Sequence, residues 1–221
     1  MKLEGLKINF LGDSITQAHG IGDVENSYWN ILKRECGLCE ARGYGIGGTR
    51  IARQSDEGKK WGLEQWHHDF CERYAEMDDD ADVIVVFGGT NDYGHGDAPM
   101  GQMSDRTPYT FYGACHYLCE GLINKYPTAQ VVIMTPLHRL NEENDINEMG
   151  LPKNTHLEDY VAVIKEVAEY YAIPVLDLWS VSGIQPNIEA NRKALAPDGL
   201  HPNEAGHRRI AQRLEGFLRS I

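Results

Sequence analysis

Apolar residues along this chain fall into five short runs, separated by longer stretches with helical spacing. The runs are Lys7–Leu11, Leu38–Arg42, Asp82–Phe87, Gln130–Thr135 and Ile173–Leu178. The third and fourth are nearly continuous in Val and Ile, the pattern of parallel strands covered on both faces. Helices are predicted at Ser27–Arg34, Leu63–Glu76, Pro108–Lys125, Leu157–Tyr171 and Asn203–Ser220. The last shows the period plainly, with Ile210, Ala211, Leu214, Phe217 and Leu218 on one face. Strands alternating with helices predict an α/β fold built on a parallel sheet with right-handed crossovers. No internal repeat or linker interrupts the pattern, so the 221 residues read as one domain, 1–221.

Two segments break this rhythm. Tyr93–Thr107 is rich in Gly, Asp and Met and follows the third strand; Leu137–Thr155 is polar and follows the fourth. In open α/β sheets the loops leaving the carboxyl ends of the strands build the ligand crevice, and long irregular loops there are usually functional.

Charge removes one class of function. A formal net charge of -12 leaves no electrostatic footprint for nucleic acid. Residues Met1–Lys7 show neither an apolar signal core nor a small-residue cleavage site. No apolar run approaches the roughly 18 residues that span a bilayer. The expectation is a cytoplasmic protein without a membrane partner. Cys36 and Cys39 form a CxxC, but a redox pair should open a helix, and a zinc site needs a second ligand pair at fixed spacing. The pair falls between a helix end and a strand start, so structural thiols are expected, as for Cys115 and Cys119 on a helix. No cluster has metal-ligand spacing, so neither a metal nor another cofactor is expected.

Four segments carry residues suited to chemistry. The first strand runs into Gly12-Asp13-Ser14-Ile15-Thr16, with Ser14 expected at a helix N-terminus. Ser14-x-x-Gln17 matches a capping box, but the same geometry leaves the Ser14 N–H free for an oxyanion. Near the C-terminus stands Asp198-Gly199-Leu200-His201. A serine hydroxyl needs an adjacent base, and a third group orients that base; an acid three residues before a histidine can do so. A surface turn capped by Asn203 explains the same residues without chemistry. The third strand ends in Gly88-Gly89-Thr90-Asn91-Asp92, where Asn91 either offers a side-chain amide to an oxyanion or merely makes a turn.

The second strand ends in Gly43-Tyr44-Gly45-Ile46-Gly47-Gly48, a literal G-x-G-x-x-G. A dinucleotide fingerprint should open an amphipathic helix, and Thr49–Lys60 lacks an apolar stripe. A backbone N–H from this turn better suits an oxyanion hole. The nucleophile elbow of α/β-hydrolases is set aside, since no G-x-S-x-G string occurs.

Together, GDS near the N-terminus, the glycine turn, GxND and DxxH resemble the SGNH, or GDSL-like, hydrolases. The resemblance runs from Lys7 to the last helix. It implies a three-layer, flavodoxin-like, five-stranded parallel sheet of order 2-1-3-4-5. It further implies Ser14 as nucleophile, His201 as base, Asp198 as its orienter, and the Ser14 N–H, Gly48 and Asn91 as oxyanion donors. The asparagine often seen in the family's second block is absent here, with Gly43 or Tyr44 in its place.

The expected activity is hydrolysis of a small-molecule ester. The two polar loops favour a short acyl group, acetyl first, on a hydroxyl-rich alcohol such as a sugar, since a long chain needs a continuous apolar groove. Thioesterase or lysophospholipase activity would use the same site, and a non-catalytic ligand-binding module is the rival outside enzymes. Asp13, His95 and His138 are candidate substrate contacts. His67, His68 and His207 read as surface or packing residues, and Trp61 and Trp66 as core, rim or a sugar platform.

Overall fold

The structure is a computed structural model that describes every residue except Trp61, Met149, Leu151 and Asn154. Its five strands are β1 (Lys7–Gly12), β2 (Glu40–Gly45), β3 (Val83–Phe87), β4 (Gln130–Met134) and β5 (Val175–Leu176). They form one parallel sheet in the order β2-β1-β3-β4-β5. The helices are α1 (Tyr28–Cys36), α2 (Phe70–Arg73), α3 (Thr90–His95), α4 (Phe111–Lys125), α5 (Leu157–Tyr170), α6 (Leu178–Val181), α7 (Glu189–Leu195) and α8 (Glu204–Ser220).

The pleat sends alternate side chains of each strand into two separate cores. Ile8, Phe10, Val83, Val85, Val132 and Met134 pack with α1 and α8. Leu11, Ile84, Val86, Val131 and Ile133 pack with α2, α4 and α5. The sheet is therefore the middle of three layers, which is why all five residues of β3 are buried. Helix ends follow local chemistry. The Ser27 side chain accepts from the Asn30 N–H to start α1, which stops at left-handed Gly37, and Asn203 accepts from Gly206 to start α8.

Three expectations need correction. The predicted helix Leu63–Glu76 is broken into a 3-10 turn at Glu64–His67, then α2, then a second 3-10 turn at Tyr74–Glu76. Asp69 is extended (φ -67°, ψ 162°) because its carboxylate binds Arg53 at 2.8 Å while the Phe70 N–H turns to the Arg50 carbonyl. Tertiary bonds here override helical propensity. The second strand lies at Glu40–Gly45, later than the apolar run, and takes in Gly43 and Gly45. The fifth is cut to two residues because the Asp177 side chain accepts from the Ser180 N–H and starts α6.

Register decides where chemistry can sit. Gly12 of β1 is level with Gly45 of β2 and with Phe87 of β3. The segments that follow these three strands thus leave the sheet side by side. Arg73 locks them there. Its guanidinium, 4% exposed, donates to the Gly12 carbonyl (2.9 Å), the Tyr44 carbonyl (2.8 Å) and Thr49 Oγ1 (2.9 Å), while Nε donates to the His68 carbonyl (2.9 Å). Burial pulls its pKa down to about 10, against the attraction of Asp13 and Asp69.

Replacing Arg73 with Met keeps most of the volume and strands these buried acceptors. The expected loss is roughly 3 kcal/mol of stability, since each unsatisfied buried acceptor costs about 1–3 kcal/mol and removal of the buried charge offsets part of it. For a chain of this size that lowers the melting temperature by roughly 6–12 °C. An unchanged melting temperature would show that the guanidinium does not hold the strand ends.

Candidate active site

Ser14 lies two residues past β1. The structure departs from the expected helix N-terminus: Asp13–Gly20 is a series of turns, with the Gln17 N–H bonded to Asp13 O and the His19 N–H to Ser14 O, each at 2.9 Å. Nor does a capping box form. Gln17 Oε1 accepts from the Gly47 N–H at 2.8 Å, and Asp13 Oδ1 accepts from the Ile15 N–H at 3.0 Å. The Ser14 hydroxyl is left for a partner distant in sequence. It lies 3.0 Å from His201 Nε2, and His201 Nδ1 lies 2.7 Å from Asp198 Oδ2. The other Asp198 oxygen accepts from the Leu200 and His201 N–H groups at 2.9 and 2.7 Å, so the turn that presents the acid is built from it.

Burial differs along this chain of bonds. The His201 side chain is 15% exposed and that of Asp198 51%. Burial lowers the His201 pKa, the hydrogen bond and charge of Asp198 raise it, and the net result lies below the ordinary histidine value. For Asp198, burial acts upward, but the two backbone N–H groups and His201 outweigh it and hold the carboxyl below its ordinary value. The arrangement therefore favours a neutral imidazole with a carboxylate at Nδ1, the tautomer that accepts a proton at Nε2.

The glycine turn after β2 closes against Ser14. A Cβ on Gly45 would lie 2.2 Å from the Gln17 nitrogen, so only glycine lets β2 run this close to the serine turn. Gly48 has φ +77° and lies under the Trp66 indole, which a Cβ would strike at 2.2 Å. The G-x-G-x-x-G string is thus a set of close approaches rather than a phosphate cradle. Gln17 takes the Gly47 N–H. Among the described residues, the Ser14 and Gly48 N–H groups make no hydrogen bond.

Asn91 and Asp92, in the first turn of α3, hold the segment behind Gly48. Asn91 Nδ2 donates to the Thr49 carbonyl at 3.0 Å, which occupies one of its two amide hydrogens. The Asp92 oxygens accept from the Ile51 and Ala52 N–H groups, both at 2.9 Å. Asp92 is fully enclosed, and burial pushes its pKa up to about 6 despite those bonds. Sequence reading passed over Asp92 and Arg73. A buried acid beside Asn91 was the available signal for the first, while nothing in the pattern marked the second.

The three expected substrate contacts are placed differently. Asp13 is 2% exposed, with burial raising its pKa to about 7, and it faces the Ile15 N–H and the charge of Arg73. His95 is 5% exposed; its ring stacks on Trp66 at 4.4 Å and Nδ1 meets Arg50 at 3.0 Å. Burial lowers its pKa to about 4. Both are engaged in holding the Ser14 turn and the Gly48–Trp66 stack. His138 is half-buried, bonded to Glu142 at 2.8 Å and packed on Trp179. Trp66 supports Gly48, while Trp61 lies outside the described residues.

A cleft of about 340 Å³ opens beside His201 and Asp198. Its walls include Tyr93, Arg139, Asn144, Glu148 and Lys153. The loop after β4 therefore lines the crevice, as expected. Of Tyr93–Thr107, only Tyr93 and Gly94 do so; Met100 and Met103 instead pack on the core beneath α4 and α5. Arg139 is tied to the Thr90 carbonyl at 3.1 Å and to Glu148, and the Lys153 ammonium lies over the Tyr93 ring and meets its hydroxyl. Burial lowers the Lys153 pKa to about 8.

Comparison with known proteins agrees with this architecture. A protein of known structure from Lactobacillus plantarum is 33% identical, with 98% of each chain covered and a TM-score of 0.82. An acetyl xylan esterase shares the fold at 21% identity and a TM-score of 0.62, covering 96% of this chain and 98% of its own. A two-domain esterase active on acetylated mannans matches at 21% identity and a TM-score of 0.61, over 99% of this chain and 50% of its own. No curated protein matches the sequence. The profile of the GDSL-like lipase/acylhydrolase family matches residues 10–209, and the chain belongs to that family.

Proposed function

We propose that this hydrolase is a serine esterase that removes short acyl groups, acetyl first, from a polar alcohol such as a carbohydrate. The observation that carries the reading is the bond chain Ser14 Oγ–His201 Nε2–His201 Nδ1–Asp198 Oδ2. His201 takes the Ser14 proton as Oγ attacks the ester carbonyl. Negative charge on the carbonyl oxygen is met by the Ser14 N–H, the Gly48 N–H and the second hydrogen of the Asn91 amide. The tetrahedral intermediate collapses, His201 protonates the departing alcohol, and water, deprotonated by the same histidine, releases the acid and restores Ser14.

The cleft supports this choice of substrate class. Its lining supplies hydrogen-bond partners, among them Asn141, Asn144, Tyr93 and Lys153, rather than a continuous apolar wall. Each methylene of an acyl chain gains only about 0.8 kcal/mol, and only where apolar surface covers it. Hydroxyl-rich ligands need several oriented polar partners. The two esterases of similar fold act on acetylated polysaccharides, in keeping with this reading.

Ser14→Ala is expected to reduce kcat for p-nitrophenyl acetate on the order of a millionfold with the circular dichroism spectrum unchanged. Activity within tenfold of wild type would remove Ser14 as nucleophile. Asn91→Ala should lower kcat by roughly 10²–10³ with KM nearly constant, because its amide meets charge only in the transition state; a change confined to KM would make it a binding residue instead. Activity should rise with pH as His201 loses its proton, with the acid limb below the ordinary histidine value because burial lowers that pKa. Across p-nitrophenyl acetate, butyrate, octanoate and palmitate, kcat/KM should fall with length; preference for octanoate or longer would favour a lysophospholipase or thioesterase.

A further inference from the structure

The turn that carries Ser14 brings a second histidine onto the first. Ala18 has φ +71°, unusual for a residue with a side chain, and Gly20 has φ +90°. Between them, His19 is exposed, and its ring centroid lies 4.3 Å from that of His201, with the planes tilted by 57°. Gly20 completes the contact: a Cβ there would stand 3.1 Å from His201 Cβ. The backbone is held in this form by the His19 N–H bonded to Ser14 O. The side of His201 not engaged with Ser14 or Asp198 is thus covered by an imidazole rather than by an inert group.

We propose that His19 is a positioning residue that acts through His201: its imidazole, laid against the free side of the half-buried His201 ring, opposes a proton there and keeps His201 available as a base in mildly acidic solution. The proposal rests on His201 being the base. The other groups that face His201 are Ser14, Asp198 on its own loop, Arg139 from the loop after β4 and His207 from α8. Asp198 draws a proton towards His201. Arg139 and His19 both repel one, and of these two only His19 lies ring against ring with His201.

The test titrates the His201 ring by NMR in the full-length protein and in His19→Phe and His19→Gln. Phe keeps a ring in the contact without the charge, and Gln removes both. In each variant the His201 midpoint should move up by about half a pH unit or more, the size expected of one charge a few ångströms away near water. The acid limb of kcat/KM should move with it, with the melting temperature unchanged. A midpoint unmoved in both variants overturns the proposal. So does a shift in Gln alone, which would assign the contact to packing. Because the ring titration does not depend on turnover, it stands apart from the Ser14→Ala test, whose failure would remove the catalytic reading instead.

Discussion

A single buried guanidinium holds the working end of this molecule together. Arg73 gives its hydrogens to the ends of β1 and β2 and to Thr49, just past the glycine turn. Among the described residues no carboxylate bonds to it directly, although Asp13 and Asp69 are near enough to be felt. Burying a cation without a bonded anion is costly, and the cost is met here by neutral acceptors that would otherwise be stranded at the top of the sheet. The level register of Gly12, Gly45 and Phe87 supplies the rest of the constraint. With the strand ends pinned, the serine turn, the glycine turn and the Asn91–Asp92 pair have only one place to meet.

The electrostatics behind that meeting place follow one logic. Groups enclosed beneath the site are pushed towards their neutral forms: Asp13 to about 7, Asp92 to about 6 and His95 to about 4. At the surface of the site, Asp198 is half-exposed, keeps its charge through two backbone N–H groups, and stands against the half-buried imidazole. Charge is thus retained where it orients His201 and diminished where it would have to be solvated by protein alone.

Much of this was legible in the sequence, for reasons that differ by element. The Val/Ile runs of β3 and β4 announced buried parallel strands, and the spacing of Ile210, Leu214 and Leu218 announced α8. Ser14, His201 and Asp198 stood out because their short motifs occur in a recognisable order. What escaped was decided by long-range contacts. The stretch Leu63–Glu76 has helical composition, yet Arg53 and Arg50 pull Asp69 and Phe70 out of register. The glycines of Gly43–Gly48 resembled a phosphate loop because a motif records that glycine is needed, not whether a phosphate, an indole or another backbone approaches it. His19 and Arg73 were invisible for the same reason: their partners lie 182 and up to 61 residues away along the chain, positions 201 and 12.

The central claim is that Ser14 is a nucleophile activated by His201. A fluorophosphonate probe followed by intact-mass and peptide mass spectrometry tests it without assuming a substrate. The account predicts one adduct per chain, on the peptide containing Ser14, formed rapidly in the wild type and barely at all in His201→Ala. Stoichiometric labelling of another residue, or equal labelling of Ser14 when His201 is absent, would contradict it.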